Sequence, residues 1–289
     1  MKVCVTGAGG FIGKHVCRAL SEAGHEVLGL DLGWEPGVFS FMATKADITQ
    51  PLACISDLDA VIHLAAVASP RECDRDPAKA YRVNVHGTHQ VLKMVLESKA
   101  KKVVFASSAH VYGIPPERLP TDEDSPLALS NTYTMTKILG EQLCGLYHER
   151  HGLSIIVLRL FNAYGPGQST GYFVPDMLEN VRHGDLGIHG GNTTKDFVYV
   201  NDVARAFVLA LETSFVGPIN IGTGKETDLA EVAGFIARAS GREFANLLDS
   251  FPTRMQADIS QAKHVLGWVP TTTIEEGLRA CLNSAAIPA

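Results

Sequence analysis

The sequence has no dense cluster of lysine and arginine, although it contains 25 of these residues among 289. The formal net charge is −6, so we expect no basic surface that follows a nucleic-acid backbone. Long apolar runs are also missing. The stretch 153–158 is among the longest, and it is far shorter than the roughly 20 residues that span a bilayer. From these absences we expect that the protein binds neither nucleic acid nor a membrane.

Paired cysteines are lacking as well. Six cysteines are scattered along the chain, with no Cys-x-x-Cys spacing and no grouping with histidine or carboxylates that suits a metal. The first residues run directly into a predicted strand and a glycine loop, without the hydrophobic region of a signal peptide. We therefore expect free thiols, no metal site and a cytoplasmic location.

Short apolar segments alternate with helical segments in the first 165 residues. The predicted strands are 2–7, 25–31, 59–66, 101–108 and 153–162, and the predicted helices are 11–24, 77–99 and 131–152. Continuous apolar runs are typical of parallel strands that are buried on both faces. The pattern predicts an α/β fold with a doubly wound parallel (Rossmann) sheet.

A turn-rich segment at 165–171 interrupts this pattern. We predict a main domain over 1–165, to which the chain returns near 195–225. The ranges 166–194 and 226–289 would then form a smaller C-terminal α/β lobe. We find no internal repeat and no low-complexity tract.

The first motif with a chemical meaning is TGAGGFIG at 6–13. Gly7, Gly10 and Gly13 lie between a predicted strand and a predicted helix. Glycines at this spacing allow a tight turn, the approach of a pyrophosphate, and close packing of helix on strand. The helix that begins near Phe11 and Ile12 supplies N–H groups to a phosphate. A purely structural glycine turn is the alternative.

An acidic residue, Asp31, ends the second predicted strand. A carboxylate at this position can bind both adenosine ribose hydroxyls and repels a 2′-phosphate. No lysine or arginine follows until Lys45, so the cofactor predicted by these residues is NAD rather than NADP. The alternative is a solvated aspartate.

With these motifs the chain resembles the extended short-chain dehydrogenases/reductases, in the NAD-dependent sugar-nucleotide epimerase/dehydratase group. The resemblance extends over nearly the whole length. It is carried by TGAGGFIG, DAVIHLAA (59–66), NVHGT (84–88), FASSAHVYG (105–113), YTMTK (133–137), LRLFNAYGPGQ (158–168), KDFVYVNDVA (195–204), NIGTG (220–224) and ADISQAKHVLGWVP (257–270). The resemblance implies a nucleotide-sugar substrate and a homodimer formed through helices 77–99 and 131–152.

Further cofactor contacts are implied by the resemblance alone. They are Phe11, Ile12, Asp47, Ile48, Leu64, Ala65 and Ala66. Asp47 could instead be a solvated loop acid, and Leu64, Ala65 and Ala66 could equally be sheet packing. Asn84 resembles a buried helix asparagine whose role could be structural.

Tyr133 and Lys137 are four residues apart on a predicted helix, so their side chains share a face. A free tyrosine, with a pKa of about 10, is a poor base at neutral pH, and a nearby ammonium favours its phenolate. Ser108 ends a predicted strand, where doubly wound sheets bind ligands. By resemblance, Tyr133 is the catalytic base, Lys137 also binds the nicotinamide ribose, and Ser108 bonds the oxygen on the reacting carbon. A surface pair of Tyr133 and Lys137 is the alternative.

Three residues are expected to bind the substrate: Asn162, Lys195 and Arg254. Asn162 resembles a phosphate contact, and the other two are candidate phosphate ligands. The chain departs from the family pattern here, because Lys195 replaces an arginine that could bind phosphate bidentately. An Arg-Pro-Gly-Asp segment common in the family is also absent before 257.

Ala109 and His110 bear on the reaction. Sugar-nucleotide 4,6-dehydratases carry an Asp-Glu pair at these positions, so dehydration is disfavoured here. His63 lies within a predicted buried strand and is interpreted as a core histidine. The resemblance implies a nucleotide-sugar epimerase acting at C4. The alternatives are a 4-dehydrogenase or 4-ketoreductase and, in another class, an NAD-sensing regulatory protein.

Overall fold

A computed structural model describes residues 1–33, 42–183, 187–189, 192–243, 245–247 and 253–285. The strands are β1 (Lys2–Thr6), β2 (Glu26–Asp31), β3 (Met42–Lys45), β4 (Ala60–His63), β5 (Lys102–Ser108), β6 (Ser154–Leu160), β7 (Asn162–Tyr164), β8 (Gly187–His189), β9 (Thr194–Lys195), β10 (Phe197–Tyr199), β11 (Gly217–Ile221), β12 (Thr227–Asp228) and β13 (Ala245–Leu247). The α-helices are α1 (Phe11–Glu22), α2 (Pro70–Arg75), α3 (Pro77–Tyr81), α4 (Thr88–Glu97), α5 (Thr132–His151), α6 (Phe173–His183), α7 (Val200–Ala210), α8 (Leu229–Ala239), α9 (Ser260–Leu266) and α10 (Ile274–Ser284).

A seven-stranded sheet in the order β11-β6-β5-β4-β1-β2-β3 forms the centre of the fold. Its neighbouring strands all pair in parallel. The chain proceeds outward from β1 through β2 to β3, and then crosses to β4 on the other side of β1. Such a reversal creates a crevice at the carboxyl ends of the strands, where ligands bind. The predicted doubly wound α/β fold is confirmed.

Alternation along the central strand explains why both faces are buried. Val3 and Val5 belong to one core cluster, together with Val16 of α1. Cys4, which points to the opposite face, belongs to a second cluster with Val91 of α4. Because helices cover both faces, the strands read as continuous apolar runs in the sequence.

Two elements differ from the sequence prediction. Strand β3 was not predicted, because it is a short edge strand whose Met42 is 63% exposed and it has no apolar run. The single helix predicted over 77–99 is interrupted by a π-helical turn at Arg82–Gly87. Turns of this type insert one residue into a helix and often lie at functional sites. Here the turn contains Asn84, which contacts the neighbouring helix as described below.

The C-terminal half contributes to the main sheet and also forms a core of its own. Strand β11 pairs with β6, and Phe207 of α7 joins the cluster that contains α1 residues. A third cluster joins α6, α8 and α10, with Val174, Val232 and Leu278 buried in it. The division into a cofactor domain and a substrate lobe stays a prediction. Within the described ranges, no helix is long and apolar enough to cross a membrane.

Candidate active site

The glycine loop between β1 and α1 lies at the crevice. Gly7 has φ +72°, and a Cβ atom there would lie 2.7 Å from the Ala65 backbone nitrogen. A Cβ atom on Gly13 would lie 2.0 Å from the Gly7 carbonyl oxygen. Gly10 caps α1 without any side-chain hydrogen bond. The backbone is therefore bare where a diphosphate would approach the helix N-terminus.

Asp31 is held at the end of β2, beside this loop. One carboxylate oxygen accepts a hydrogen bond from the Gly9 N–H at 2.9 Å, and the other accepts one from the Gly33 N–H at 2.9 Å. These contacts fix the carboxylate beside the glycine loop. The position suits a ribose diol, which is the role predicted for Asp31.

The other predicted cofactor residues follow the neighbouring strands. Leu64, Ala65 and Ala66 come directly after β4 and are half-buried. The Asp47 carboxylate accepts a hydrogen bond from the Thr49 N–H, which lowers the pKa of Asp47. Ile48 is 5% exposed and packs in the core. Its side chain is therefore a packing group of the core.

Tyr133, Lys137 and Ser108 come together where α5 crosses the end of β5. The Asn131 side chain caps α5 by accepting from the Thr134 N–H at 2.8 Å, which starts the helix just before Tyr133. The Ser108 hydroxyl lies close enough to Tyr133 to lower its pKa. The Lys137 ammonium donates to the Ala106 carbonyl at 2.8 Å and lies 5.9 Å from the centre of the Tyr133 ring.

Burial dominates the ionisation of this group. It raises the pKa of Tyr133 above the ordinary value, while the Ser108 hydroxyl acts in the opposite direction. Burial also lowers the pKa of Lys137 to about 8. Burial therefore outweighs the influence that favours the phenolate, which here comes from Ser108. Tyr133 needs a further positive or hydrogen-bonding group nearby to act as a base at neutral pH.

Two buried polar residues support the trio without joining it. His63 bonds to Thr6 through Nδ1 at 2.7 Å and to Thr88 through Nε2 at 2.9 Å. Burial lowers the pKa of His63 to about 3, so it is a neutral core histidine. The Asn84 amide donates to the Val67 carbonyl at 3.0 Å and to the Thr136 hydroxyl at 2.9 Å. Asn84 thereby fixes α5 against the segment that follows β4.

A buried ion pair lies one helical turn beyond Lys137. Glu141 accepts two hydrogen bonds from the Arg159 guanidinium, at 3.1 and 2.7 Å, and a third from the Ser107 hydroxyl. The side chains of Glu141 and Arg159 are 8% and 6% exposed. This pair was not predicted from the sequence. The available signal was the spacing, because Glu141 follows Lys137 by four residues on the same helix face.

His110 lies against the trio from the other side. Its backbone N–H donates to the Ser108 hydroxyl at 3.2 Å, and its ring meets the Tyr133 ring edge-on at 6.1 Å. Burial, with a contribution from the Lys195 ammonium, lowers the pKa of His110 to about 4. The imidazole is therefore neutral at physiological pH. Tyr172 also lies close enough to Tyr133 to raise its pKa, a contact that no sequence spacing indicated.

The predicted substrate residues are linked through β9. Asn162 in β7 donates from its backbone N–H to the Asp196 carbonyl at 2.9 Å, which places it beside Lys195. Arg254 is linked to the same strand, because its partner Glu226 also accepts a hydrogen bond from Thr194. Its guanidinium binds both oxygens of Glu226, with one of the two contacts at 2.9 Å.

Asp196, next to Lys195, anchors the backbone around this region. Its carboxylate accepts hydrogen bonds from the N–H groups of Thr223, Gly224 and Ala257, at 2.6, 2.9 and 3.0 Å. The aspartate is fully buried. It is a structural residue that fixes β9 and thereby the position of Lys195. In the part of the chain that the structure describes, no cluster of three or more His, Cys, Asp or Glu side chains could hold a metal ion.

Comparisons with known proteins agree on the family of the chain. The model of the NAD dependent epimerase/dehydratase family matches residues 3–222. A putative UDP-glucose 4-epimerase of Methanocaldococcus jannaschii is 34% identical over 97% of each chain. UDP-glucuronic acid decarboxylase 6 of Arabidopsis thaliana is 31% identical over 96% of this chain and 87% of its own. MoeE5, solved with UDP-glucose and NAD, is 30% identical over 99% of each chain, with a TM-score of 0.91.

The chain belongs to the NAD-dependent epimerase/dehydratase family, and its cofactor is NAD. The residues present fit that cofactor. The close approaches at Gly7 and Gly13 keep the loop clear of side chains, and the Asp31 carboxylate is held in place by two backbone N–H groups.

Proposed function

We propose that the protein is a nucleotide-sugar epimerase that inverts C4 of a nucleotide diphosphate hexose through a transient 4-keto sugar. The observation that carries the proposal is the contact of Tyr133 with Ser108, with Lys137 beside them. Positions 109 and 110 hold alanine and histidine, so no carboxylate pair stands ready for elimination of water.

Each residue has a proposed task. Tyr133 accepts the proton of the C4 hydroxyl and later returns it. Ser108 donates a hydrogen bond to the C4 oxygen while it is a carbonyl. Lys137 holds a positive charge near Tyr133 and binds the nicotinamide ribose. Bound NAD would supply the acceptor, and then the donor, of the C4 hydride.

The remaining predicted residues hold the two ligands. We assign the NAD diphosphate to the loop of Gly7, Gly10 and Gly13, and the adenosine ribose to Asp31. Phe11 and Ile12 begin the helix below the diphosphate. Asp47 and Ile48 would flank the adenine, and Leu64, Ala65 and Ala66 would line the path of the cofactor. Asn162, Lys195 and Arg254 are assigned to the substrate diphosphate.

A second candidate reaction starts from the same 4-keto intermediate. A relative with 31% identity is named a UDP-glucuronic acid decarboxylase, and a 4-keto uronic acid loses its carboxylate readily because the ketone is β to it. Net oxidation or reduction at C4 needs the same residues.

The homodimer formed through helices 77–99 and 131–152 stays a prediction. Leu139 and Leu146 of α5 are 37% and 39% exposed, and these apolar side chains are compatible with such an interface.

One experiment separates these reactions. The NAD-saturated protein is incubated with UDP-, GDP- and dTDP-linked hexoses and hexuronates, while products and NADH absorbance are followed. The proposal predicts a C4 epimer without accumulated NADH. A pentose product with released carbon dioxide would indicate decarboxylation, and stoichiometric NADH would indicate a dehydrogenase.

A further inference from the structure

Arg159, a buried cation in β6, connects the helix of the proposed base with a second set of buried groups. Its guanidinium binds the Glu141 carboxylate of α5 at 3.1 and 2.7 Å. Its Nη1 atom donates to the Tyr112 hydroxyl at 2.9 Å and to the Glu123 carbonyl at 3.1 Å. The planar fork of an arginine presents its donors in fixed directions. Arg159 therefore fixes α5 relative to the segment that contains Tyr112.

The Tyr112 hydroxyl extends this network to β11. It donates to the Asn220 side-chain oxygen at 2.7 Å, and both residues are at most 2% exposed. Burial raises the pKa of Tyr112, so the hydroxyl keeps the proton that it donates. Glu123 forms a second bridge, because its carboxylate accepts from the Asn220 N–H at 2.7 Å. The Asn220 amide then donates to the carbonyls of Thr121 and Asp258, at 2.9 and 3.4 Å.

The segment 256–258 holds the strand of a predicted substrate cation. The Ala257 N–H donates to the Asp196 carboxylate at 3.0 Å, and Asp196 is the neighbour of Lys195. The Asp196 carbonyl in turn accepts from the Asn162 N–H at 2.9 Å. One end of the network therefore lies at two residues that are assigned to the substrate diphosphate. The other end lies on α5, the helix of the proposed base.

We infer that Tyr112 is a positioning residue, whose hydroxyl fixes the distance between the proposed base on α5 and the diphosphate ligands at β9. A substrate held by its diphosphate can react only if this distance places its C4 hydroxyl at Tyr133. A misplacement of about 1 Å can cost about 100-fold in rate. The inference rests on the proposed function, because it takes Lys195 and Asn162 as ligands of the diphosphate.

A pair of matched substitutions tests the role of this hydroxyl. Tyr112→Phe removes it and keeps the ring, whose centre lies 4.9 Å from the Arg159 guanidinium. Tyr147→Phe is the control, because Tyr147 is a buried tyrosine of α5 whose hydroxyl bonds to His89 at 3.1 Å, outside the network. Both variants lose one buried hydroxyl, but only Tyr112→Phe loses a bridge to β11.

The first measurement is amide hydrogen exchange, which needs no turnover. The Thr121 N–H donates to the Gln256 carbonyl at 2.8 Å, so its exchange reports on the segment that the network holds. The Ile62 amide of the central sheet corrects for global stability. Relative to Ile62, exchange at Thr121 should be at least about tenfold faster in Tyr112→Phe. Tyr147→Phe should leave this relative rate unchanged. An unchanged relative rate in Tyr112→Phe would overturn the inference.

The second measurement separates positioning from a purely structural role. It uses the nucleotide sugar that the panel above identifies, and the corresponding nucleoside diphosphate. With saturating NAD, kcat of Tyr112→Phe should fall by about tenfold or more. KM and the calorimetric Kd values of the nucleoside diphosphate and NAD should change by less than about threefold, because each half of the site stays intact. The Glu123 bridge remains, so we expect a partial loss of turnover.

Turnover of Tyr147→Phe should match that of the parent. A kcat of Tyr112→Phe equal to the parent value would overturn the inference, and so would an equal loss of kcat and of nucleoside diphosphate affinity. If the parent turns over no member of the panel, the epimerase proposal fails, but the exchange rates still decide whether Tyr112 joins the two halves of the site.

Discussion

The Lys137 ammonium donates a hydrogen bond of 2.8 Å to the backbone carbonyl of Ala106. One residue further along the same strand, the Ser107 hydroxyl donates to Glu141, which lies one turn beyond Lys137. Two successive residues of β5 are thus bonded to two successive turns of α5. This attachment fixes the helix that carries the proposed base relative to the strand that carries Ser108.

If Tyr133 is the catalytic base, removal of its hydroxyl group alone should greatly reduce turnover. Tyr133→Phe retains the ring and its packing but removes the proton acceptor, so turnover should fall by roughly 10²–10⁴-fold. NAD binding, followed by calorimetry, should persist. If turnover stays within a few-fold of the parent, Tyr133 is not the base.

Cofactor choice should depend on the charge of Asp31. Its carboxylate repels a 2′-phosphate, so we expect NAD to bind at least about tenfold more tightly than NADP. Asp31→Asn is the matched variant, because the amide has nearly the same shape but no charge. Titration should show a narrower gap between the two cofactors in this variant. Equal affinities in the parent would contradict the assignment.

Much of the cofactor site could be predicted from the sequence because its determinants are local. The glycine spacing requires only a short turn, and Gly7 shows the positive φ that such a turn needs. Tyr133 and Lys137 share a helix face by their spacing alone. The doubly wound parallel sheet follows from the alternation of apolar runs with helices.

Other features depend on contacts between distant segments, and no local pattern encodes them. Glu141 pairs with Arg159 across two elements. Arg254 was predicted as a phosphate ligand from a local motif, but its neighbour Glu226 is 28 residues away in the sequence. The π-helical turn at Arg82–Gly87 has an ordinary helical composition, and the side-chain contacts of Asn84 form only in the folded chain.

The two proposed substrate cations should contribute unequally. Arg254 already has a carboxylate partner in Glu226, whereas Lys195 has none among the described residues. Lys195→Met should therefore raise KM by about tenfold or more, with a smaller effect on kcat. Arg254→Met should raise KM less. A larger effect at Arg254 would show that its pair with Glu226 opens when substrate binds.

The Glu141–Arg159 pair should influence both stability and pH dependence. Glu141→Gln leaves a buried guanidinium without its counter-charge, so the free energy of unfolding should fall by about 3–5 kcal/mol. The exposed Glu97, paired with Lys93 at 3.7 Å, provides the control. Glu97→Gln should cost at most about 0.5 kcal/mol in chemical denaturation.

The pH dependence follows from the lysine. Its pKa is lowered to about 8, chiefly by burial, and Glu141 acts to raise it. An amine loses its positive charge above its pKa. We therefore expect kcat/KM to fall above about pH 8, as the Lys137 ammonium loses its proton. Removing the Glu141 charge should move this alkaline limb to lower pH. An unchanged limb in Glu141→Gln would show that another group is responsible.

Retention of the C4 hydrogen is the most direct test of the epimerase proposal. A nucleotide sugar with deuterium at C4 is incubated with the NAD-saturated protein, and the product is analysed by NMR and mass spectrometry. The proposal predicts a C4 epimer that keeps the deuterium, with no exchange at C4 when the unlabelled sugar reacts in heavy water. A 4-keto sugar that has lost the C4 deuterium to the cofactor would contradict the proposal, and so would a pentose product formed with release of carbon dioxide.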